Sequence, residues 1–174
     1  RGQCYYTENA IFSSFFGLLY WDIIFCPYRG AFTHPFQMRP HDMYEHNFLP
    51  SRKQILGSDC LDIASSEEMK QRIHKNWRSH LHTVSPFVYW NALDQATIDI
   101  FCDTIPLAHW RSIFARMWTD LRENRKGFPD LCVFPSEGGY QLVEVKGPGD
   151  RLQKHQLRWM AYFSQHDIPH KVIN

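Results

Sequence analysis

The sequence predicts an α/β fold in which helices pack against a mixed β-sheet, with an added helical layer from the N-terminal part. Apolar residues recur at helical spacing through much of the first 124 residues. Two short runs of strand type follow, joined by a glycine-containing turn. One more helix and one more strand come after them, an order typical of a mixed sheet covered by helices.

The chain is predicted to begin with a buried helix. Apolar residues at helical spacing indicate this helix over residues 9–25. Thr7 or Asn9 would cap it, and Glu8 would lie at or just before its first turn. Asp22 falls inside the apolar run, so we expect its carboxylate to be hydrogen-bonded.

The middle of the chain is predicted to be irregular and then helical. Residues 27–66 contain four prolines and are expected to form short helices and loops. A serine and glutamate cluster then starts a helix, and periodic apolar residues predict helices over about residues 66–82, 93–103 and 106–124.

The last third carries the strand signals. Residues 131–134 and 140–145 are predicted to form two strands joined by residues 135–139. A helix over about residues 151–166 and a short strand around residues 170–173 are expected to follow.

Composition restricts the class of protein. The 174 residues are 44% hydrophobic and 16% aromatic, which suits one domain with a sizeable core and excludes global disorder. The longest apolar run, about residues 15–25, is too short to cross a bilayer, and no signal-peptide pattern is present. Five cysteines without a CxxC pair are expected to be reduced thiols. We therefore expect a protein that is not secreted, nuclear if eukaryotic and cytoplasmic if bacterial.

Three charged side chains are predicted to converge at the ends of the two strands. Glu144 and Lys146 are two positions apart and share a face, roughly 6–7 Å from each other. Asp130 falls opposite Glu144 if the connecting loop centres on Glu137 with three or five residues. A two- or four-residue loop would turn Asp130 to the other face, so an odd loop or a bulge is expected.

Two carboxylates and a lysine in this arrangement suit hydrolysis of a phosphodiester bond. Asp130 and Glu144 would hold one or two Mg²⁺ or Mn²⁺ ions through oxygen ligands, and the backbone carbonyl of Val145 would complete the shell. Lys146 would lower the pKa of the attacking water or neutralise charge developing on the phosphate. The pattern PD…(D/E)xK is short, and a proline–aspartate turn before a solvated edge strand is the alternative interpretation.

The predicted helix after these strands supplies candidate DNA contacts. The whole chain has a net charge of only +1, but ten basic and seven acidic side chains lie from residue 109 onward. Arg151, Lys154 and Arg158 follow helical spacing and would track a phosphate backbone, although an ordinary solvated helix face explains them equally well. Gln156 lies early in the helix, where its amide would bond a metal-bound water or a phosphate.

Longer stretches carry a more specific signal. GFPDLCVF at residues 127–134 and YQLVEVKGPGDRLQKHQLRWM at residues 140–160 resemble the VRR-NUC nuclease domain. This domain is a branch of the PD-(D/E)xK, or restriction-endonuclease-like, superfamily. GLLYWDIIF at residues 17–25 resembles a segment upstream of that domain in the Fanconi-associated nuclease family of interstrand-crosslink repair.

The resemblance implies a restriction-endonuclease-like core with one or two Mg²⁺ or Mn²⁺ ions. It also implies a structure-specific DNA nuclease that cuts 5′ flaps and degrades DNA 5′→3′, with branched or flapped DNA and DNA-repair proteins as partners. Asp130, Glu144 and Lys146 match the family's catalytic positions, and Glu8 matches a further acidic position at the metal site. Only the resemblance selects Glu8.

The chain is expected to be one structural unit from a longer protein. Residues 107–174 would form the catalytic core, and residues 1–106 a helical and irregular segment that packs on it and contributes the acidic residue. The alternative is a catalytically inactive nuclease-fold module that binds DNA or a repair partner. A nuclease of the same fold that acts on RNA or on Holliday junctions also remains open.

Overall fold

A four-stranded mixed sheet organises residues 2–174, the part of the chain that the structure, a computed structural model, describes. Its strands lie in the order β1-β2-β3-β4 and comprise Gln3–Tyr6, Leu131–Phe134, Gln141–Val145 and His170–Ile173. β2 pairs antiparallel with β1 and β3, whereas β3 and β4 are parallel. The predicted α/β class and mixed sheet are confirmed.

The helices of this described range flank the sheet and pack partly on one another. They are α1 (Ile11–Leu19), α2 (Trp21–Ile24), α3 (Phe48–Leu56), α4 (Ser66–Ser79), α5 (Gln95–Thr104), α6 (Leu107–Thr119) and α7 (Lys154–Gln165), with a 3₁₀ turn at Trp90–Ala92. None of these helices is long and apolar enough to span a membrane.

The sequence does not predict strand β1. This strand is mostly exposed at the sheet edge, so it lacks the alternation of apolar and polar residues that marks a half-buried strand. Its pairing with β2 delivers Thr7 and Glu8 to the start of β2, where Asp130 lies. The Thr7 N–H donates to the Asp130 carbonyl at 2.7 Å.

The prediction of one helix over residues 9–25 is wrong in its start and its continuity. Neither Thr7 nor Asn9 caps α1, because the Thr7 hydroxyl donates to a carbonyl before β2 and Asn9 has a left-handed backbone with φ +54°. The backbone leaves helical geometry at Tyr20, which separates α1 from α2. Asp22 is exposed, so water rather than a protein partner solvates its carboxylate.

The later helices are shorter than predicted. α4 and α6 each end a few residues early, and α6 stops because the backbone of Asp120 is extended. α7 begins at Lys154 because Gln153 and Gln156 form a reciprocal capping box at its N-terminus. Arg151 consequently lies in the preceding loop and shares no helix face with the two basic residues of α7.

The hydrophobic core lies on one face of the sheet. Every residue of α1 is buried, and Phe12 and Phe15 pack on Trp110 of α6 with ring centroids 5.5 and 5.0 Å apart. Phe101 of α5 contacts Phe134 of β2 at 4.9 Å. Because strand side chains alternate, the even-numbered residues of β2 and β3 point towards these helices and are buried.

Gly17→Ala is expected to destabilise the protein. A Cβ at Gly17 would lie 2.6 Å from the Phe87 Cβ and 2.9 Å from the Val88 Cγ2. Overpacking costs about 1–3 kcal/mol, which exceeds the ~1 kcal/mol that alanine gains over glycine inside a helix. Urea denaturation should therefore give a lower free energy of unfolding, and an equal or higher value would contradict the close packing of α1.

Candidate active site at the ends of β2 and β3

The hairpin of β2 and β3 places Asp130 and Glu144 across from each other. Leu131 pairs with Val143 and Cys132 with Leu142, so the next step of the same register sets Asp130 opposite Glu144. This register requires the odd connecting loop that the sequence predicts. The Asp130 Oδ2 also accepts a hydrogen bond from the Val145 N–H at 2.8 Å, which connects the Asp130 carboxylate to β3.

Glu144 is a buried carboxylate, and neither of its oxygens is exposed to solvent. Its side chain is 1% exposed; Oε1 accepts hydrogen bonds from the Gln156 Nε2 at 2.5 Å and the Lys146 Nζ at 2.9 Å. Oε2 is also buried and has no hydrogen-bond partner among the described residues. Burial raises the pKa of Glu144, the negative charges of Asp130 and Glu8 raise it further, and Lys146 opposes them.

Lys146 is held as a cation beside this carboxylate. Its Nζ donates to Glu144 and, at 3.2 Å, to the Gln156 Oε1. The hydrogen bond to Glu144 raises the pKa of Lys146 above its usual value, so the side chain is protonated at neutral pH. A protonated lysine acts through its charge and has no lone pair with which to accept a proton.

Gln156 connects α7 to β3. Its amide nitrogen donates to Glu144, and its amide oxygen accepts from Lys146 and from the Gln153 N–H, the latter at 2.9 Å. The sequence suggested a metal-bound water or a phosphate as its partner. In the structure the two ends of the amide bond the buried carboxylate and the lysine, and the contact with a metal-bound water or a phosphate stays a prediction.

Glu8 lies in the exposed turn between β1 and α1, close to this cluster. The Tyr6 hydroxyl donates to Glu8, and the negative charges of Glu8 and Asp130 both act on that tyrosine and raise its pKa, less than the hydrogen bond does. Sequence reasoning missed Tyr6, because a tyrosine near an acidic residue has no informative spacing. The resemblance that selected Glu8 thus selected a residue beside Asp130, although 122 positions separate the two in sequence.

The carboxylates suit a hard divalent cation, although they do not form a ready-made cage. No group of three acidic, histidine or cysteine side chains in residues 2–174 already has metal-binding geometry. The unpartnered Oε2 of Glu144 is nevertheless a buried oxygen in need of a positive partner, and neighbouring negative charge favours a cation. Glu8, Asp130, Glu144 and the Val145 carbonyl are the oxygen donors that would hold it.

The three predicted DNA-contacting residues lie around the start of α7. Arg151, Lys154 and Arg158 are all exposed. None of them forms a salt bridge with a described acidic residue, so their positive charges are available to a ligand. Lys154 and Arg158 are one turn apart on α7, while Arg151 extends from the loop before it.

Comparison with known proteins shows that the chain is similar to nucleases. The sequence profile of the VRR-NUC domain matches residues 64–174. The chain is 40% identical over 166 residues to the Fanconi-associated nuclease 1 homolog of Pseudomonas aeruginosa, which covers 95% of this chain and 30% of the relative. It is 32% identical over 166 residues to Fanconi-associated nuclease 1 of Homo sapiens, covering 91% of this chain and 16% of the relative. The chain therefore spans less than a third of the length of these relatives.

Two solved structures are also similar to this chain. A crystal structure of paFAN1 bound to gapped DNA with a one-nucleotide 5′ flap superposes on 98% of this chain with a TM-score of 0.90 and 39% identity. A second, with a two-nucleotide 5′ flap, gives a TM-score of 0.89. This chain corresponds to 32% and 31% of those two chains. The restriction-endonuclease-like arrangement expected from the sequence is thus the fold of a nuclease relative.

Glu144→Gln is expected to remove a pH-dependent loss of stability from the metal-free protein. A carboxyl group whose pKa is raised by folding binds its proton more tightly in the native state, so native stability falls as pH rises from about 4.3 through the folded pKa. Glutamine does not titrate, so the melting temperature of the variant minus that of the wild type should increase across this interval, on top of the pH-independent cost of leaving Lys146 without its carboxylate. Thermal melts in EDTA test this, with exposed Glu137→Gln as the matched control. A difference that does not change with pH would contradict the raised pKa.

Proposed function

The chain belongs to the VRR-NUC domain family, and on that premise we propose that it is the catalytic part of a metal-dependent, structure-specific DNA nuclease. It would hydrolyse phosphodiester bonds as a 5′-flap endonuclease and 5′→3′ exonuclease, a phosphodiesterase I type activity in DNA interstrand-crosslink repair. The observation that carries the proposal is Glu144, a buried carboxylate with one oxygen held by Lys146 and Gln156 and the other left without a partner.

The proposed chemistry assigns a separate task to each side chain. Glu8, Asp130, Glu144 and the Val145 carbonyl would hold Mg²⁺ or Mn²⁺, one or two ions, which supply Lewis acidity and a more acidic water when bound. Lys146 would stabilise the negative charge that develops on the phosphate, because it is a cation fixed beside the carboxylates.

Gln156 serves these groups as a positioning residue. Its contacts with Glu144 and Lys146 fix both side chains before substrate arrives, so less reorganisation is needed when charge develops. Arg151, Lys154 and Arg158 would bind the phosphate backbone of branched or flapped DNA, which the relatives' DNA-bound structures support.

The wider setting of the protein follows from the same similarity. We propose that residues 107–174 form the catalytic core and residues 1–106 a supporting segment within one structural unit. Names of relatives from bacteria and animals support a DNA-repair role, in the nucleus of a eukaryote or the cytoplasm of a bacterium, with repair proteins as further partners.

Cleavage of an end-labelled 5′-flap duplex in Mn²⁺ tests the nuclease directly. Asp130→Ala should lose Mn²⁺ affinity in calorimetry and cleavage together, because it removes a proposed ligand. Lys146→Ala should keep Mn²⁺ binding and cut ~10²–10³-fold more slowly, the cost of removing a charge-stabilising group. EDTA should abolish cutting, and the product ladder separates flap incision from exonuclease trimming.

Two exposed residues provide matched controls for this experiment. Glu137→Ala removes a carboxylate from the loop between β2 and β3, and Lys171→Ala removes an ammonium from β4; both should retain wild-type cutting. Mn²⁺ binding without any cutting of flapped DNA would favour the inactive DNA-binding module. Wild-type cutting by Lys146→Ala would remove the lysine from the mechanism.

Loss of Arg151, Lys154 or Arg158 is expected to weaken DNA binding uniformly across sequences. Each phosphate contact contributes about 0.9 to the slope of log K against log salt, so each alanine variant should reduce that slope by about one. Fluorescence anisotropy of a flap duplex in EDTA, at several salt concentrations, measures it. Arg78→Ala on α4 is the matched control. An unchanged slope in all three variants would identify these residues as an ordinary solvated surface.

A further inference from the structure

Two residues with left-handed backbone meet beside the carboxylate cluster. Asn9 has φ +54° and Gly127 has φ +85°. The Asn9 Oδ1 accepts a hydrogen bond from the Gly127 N–H at 2.9 Å, across 118 positions of sequence. Asparagine is one of the few residues other than glycine that adopt this backbone readily. Among those residues, only asparagine has a side chain with a neutral amide oxygen that accepts a hydrogen bond.

Gly127 also supports the start of α7. A Cβ at this position would lie 2.5 Å from the His155 Cδ2, 2.9 Å from the His155 carbonyl carbon and 3.0 Å from the Gln156 nitrogen. Two of these three atoms belong to the backbone, so α7 would have to shift to admit any side chain. The Trp159 Nε1 donates to the Lys126 carbonyl at 2.9 Å, which fixes the next turn of the same helix to the residue before Gly127.

This corner joins the three chain segments that carry the site. Glu8 immediately precedes Asn9, and Asp130 lies three residues after Gly127. The first turn of α7, which rests on Gly127, carries Gln156 and its contacts with the buried carboxylate and the lysine. The hydrogen bond between Asn9 and Gly127 therefore connects the turn of Glu8 to the segment that leads to Asp130. Through Gly127 it also connects that turn to the first turn of α7.

We infer that Asn9 and Gly127 are positioning residues of the metal site, an inference that rests on the proposed function. Asn9 holds the turn of Glu8 at a fixed place relative to Asp130. Gly127 lets α7 approach closely enough for Gln156 to reach Glu144. Neither residue touches substrate, and both act by setting where oxygen ligands stand.

Asn9→Gly isolates the hydrogen bond, because glycine accepts the left-handed backbone without the amide. The variant should fold, lose hydrogen-exchange protection at the Gly127 amide, and bind Mn²⁺ about tenfold more weakly by calorimetry, as outer-shell changes typically do. On flap DNA its kcat should fall while KM is unchanged. Asn9→Asp keeps an acceptor and should keep the amide protection, and its Mn²⁺ affinity should not fall below that of the wild type, because the added negative charge favours a cation. Asp167→Gly, at another position with φ +54°, is the matched control and should match the wild type.

Gly127→Ala tests the second residue and decides the matter if Asn9→Gly fails to fold. It should weaken Mn²⁺ binding about tenfold or more, while Gly138→Ala should not, because Gly138 also has positive φ but open space around it. Wild-type Mn²⁺ affinity in Asn9→Gly with the amide protection lost, or equal affinities in the two glycine variants, would overturn the inference and leave the proposed function intact. A wild-type protein that binds no Mn²⁺ would overturn both.

Discussion

The burial of the Glu144 carboxylate is the constraint on which the site depends. Removing an ionised carboxylate from water is costly unless charged or polar partners replace the solvent. The fold supplies Lys146 from the residue directly after β3 and Gln156 from α7, and both bond the same oxygen. The other oxygen remains buried and unpaired, so the folded chain compensates only half of the group. Functional sites are where such incomplete compensation is expected, because a ligand completes it.

Through the hydrogen bond between Gln156 and Glu144, the position of α7 affects the geometry of β3 at the site. A displacement of α7 would separate Gln156 from Glu144, and the packing around α7 resists it. Trp159 lies between a backbone carbonyl that accepts its N–H and the ring of Phe128, whose centroid is 4.3 Å away. Phe128 in turn stacks on Phe12 of the fully buried α1 at 4.9 Å. The aromatic core thus extends without interruption to within two residues of Asp130.

The sequence predicts those parts of the site that depend on local periodicity. The even-odd alternation of strands, together with an odd loop centred on Glu137, sets Asp130 opposite Glu144. β1 escapes prediction because Tyr5 is its only partly buried residue, too little to produce an alternating pattern. The start of α7 depends on a Gln153–Gln156 capping box, whereas the sequence prediction began this helix three residues earlier, at about residue 151. Glu8 came only from resemblance, because its proximity to Asp130 arises from β1–β2 pairing between distant segments, which no local pattern encodes.

The charge balance of the cluster explains why the proposed hydrolysis needs a divalent cation before it needs DNA. Glu8, Asp130 and Glu144 against Lys146 give a net charge of minus two when all four are ionised, and the raised pKa of Glu144 reports part of that repulsion. A phosphodiester is itself an anion and would be repelled by this charge at short range. The exposed arginines and lysine around the start of α7 would attract DNA to the surface, but they do not pair with the carboxylates. One bound divalent cation would bring the cluster to neutrality, and Lys146 would then face the phosphate as a stabilising charge. In this scheme DNA affinity and catalytic competence arise from separate sets of residues, and the catalytic set becomes compatible with its substrate only after the cation has bound.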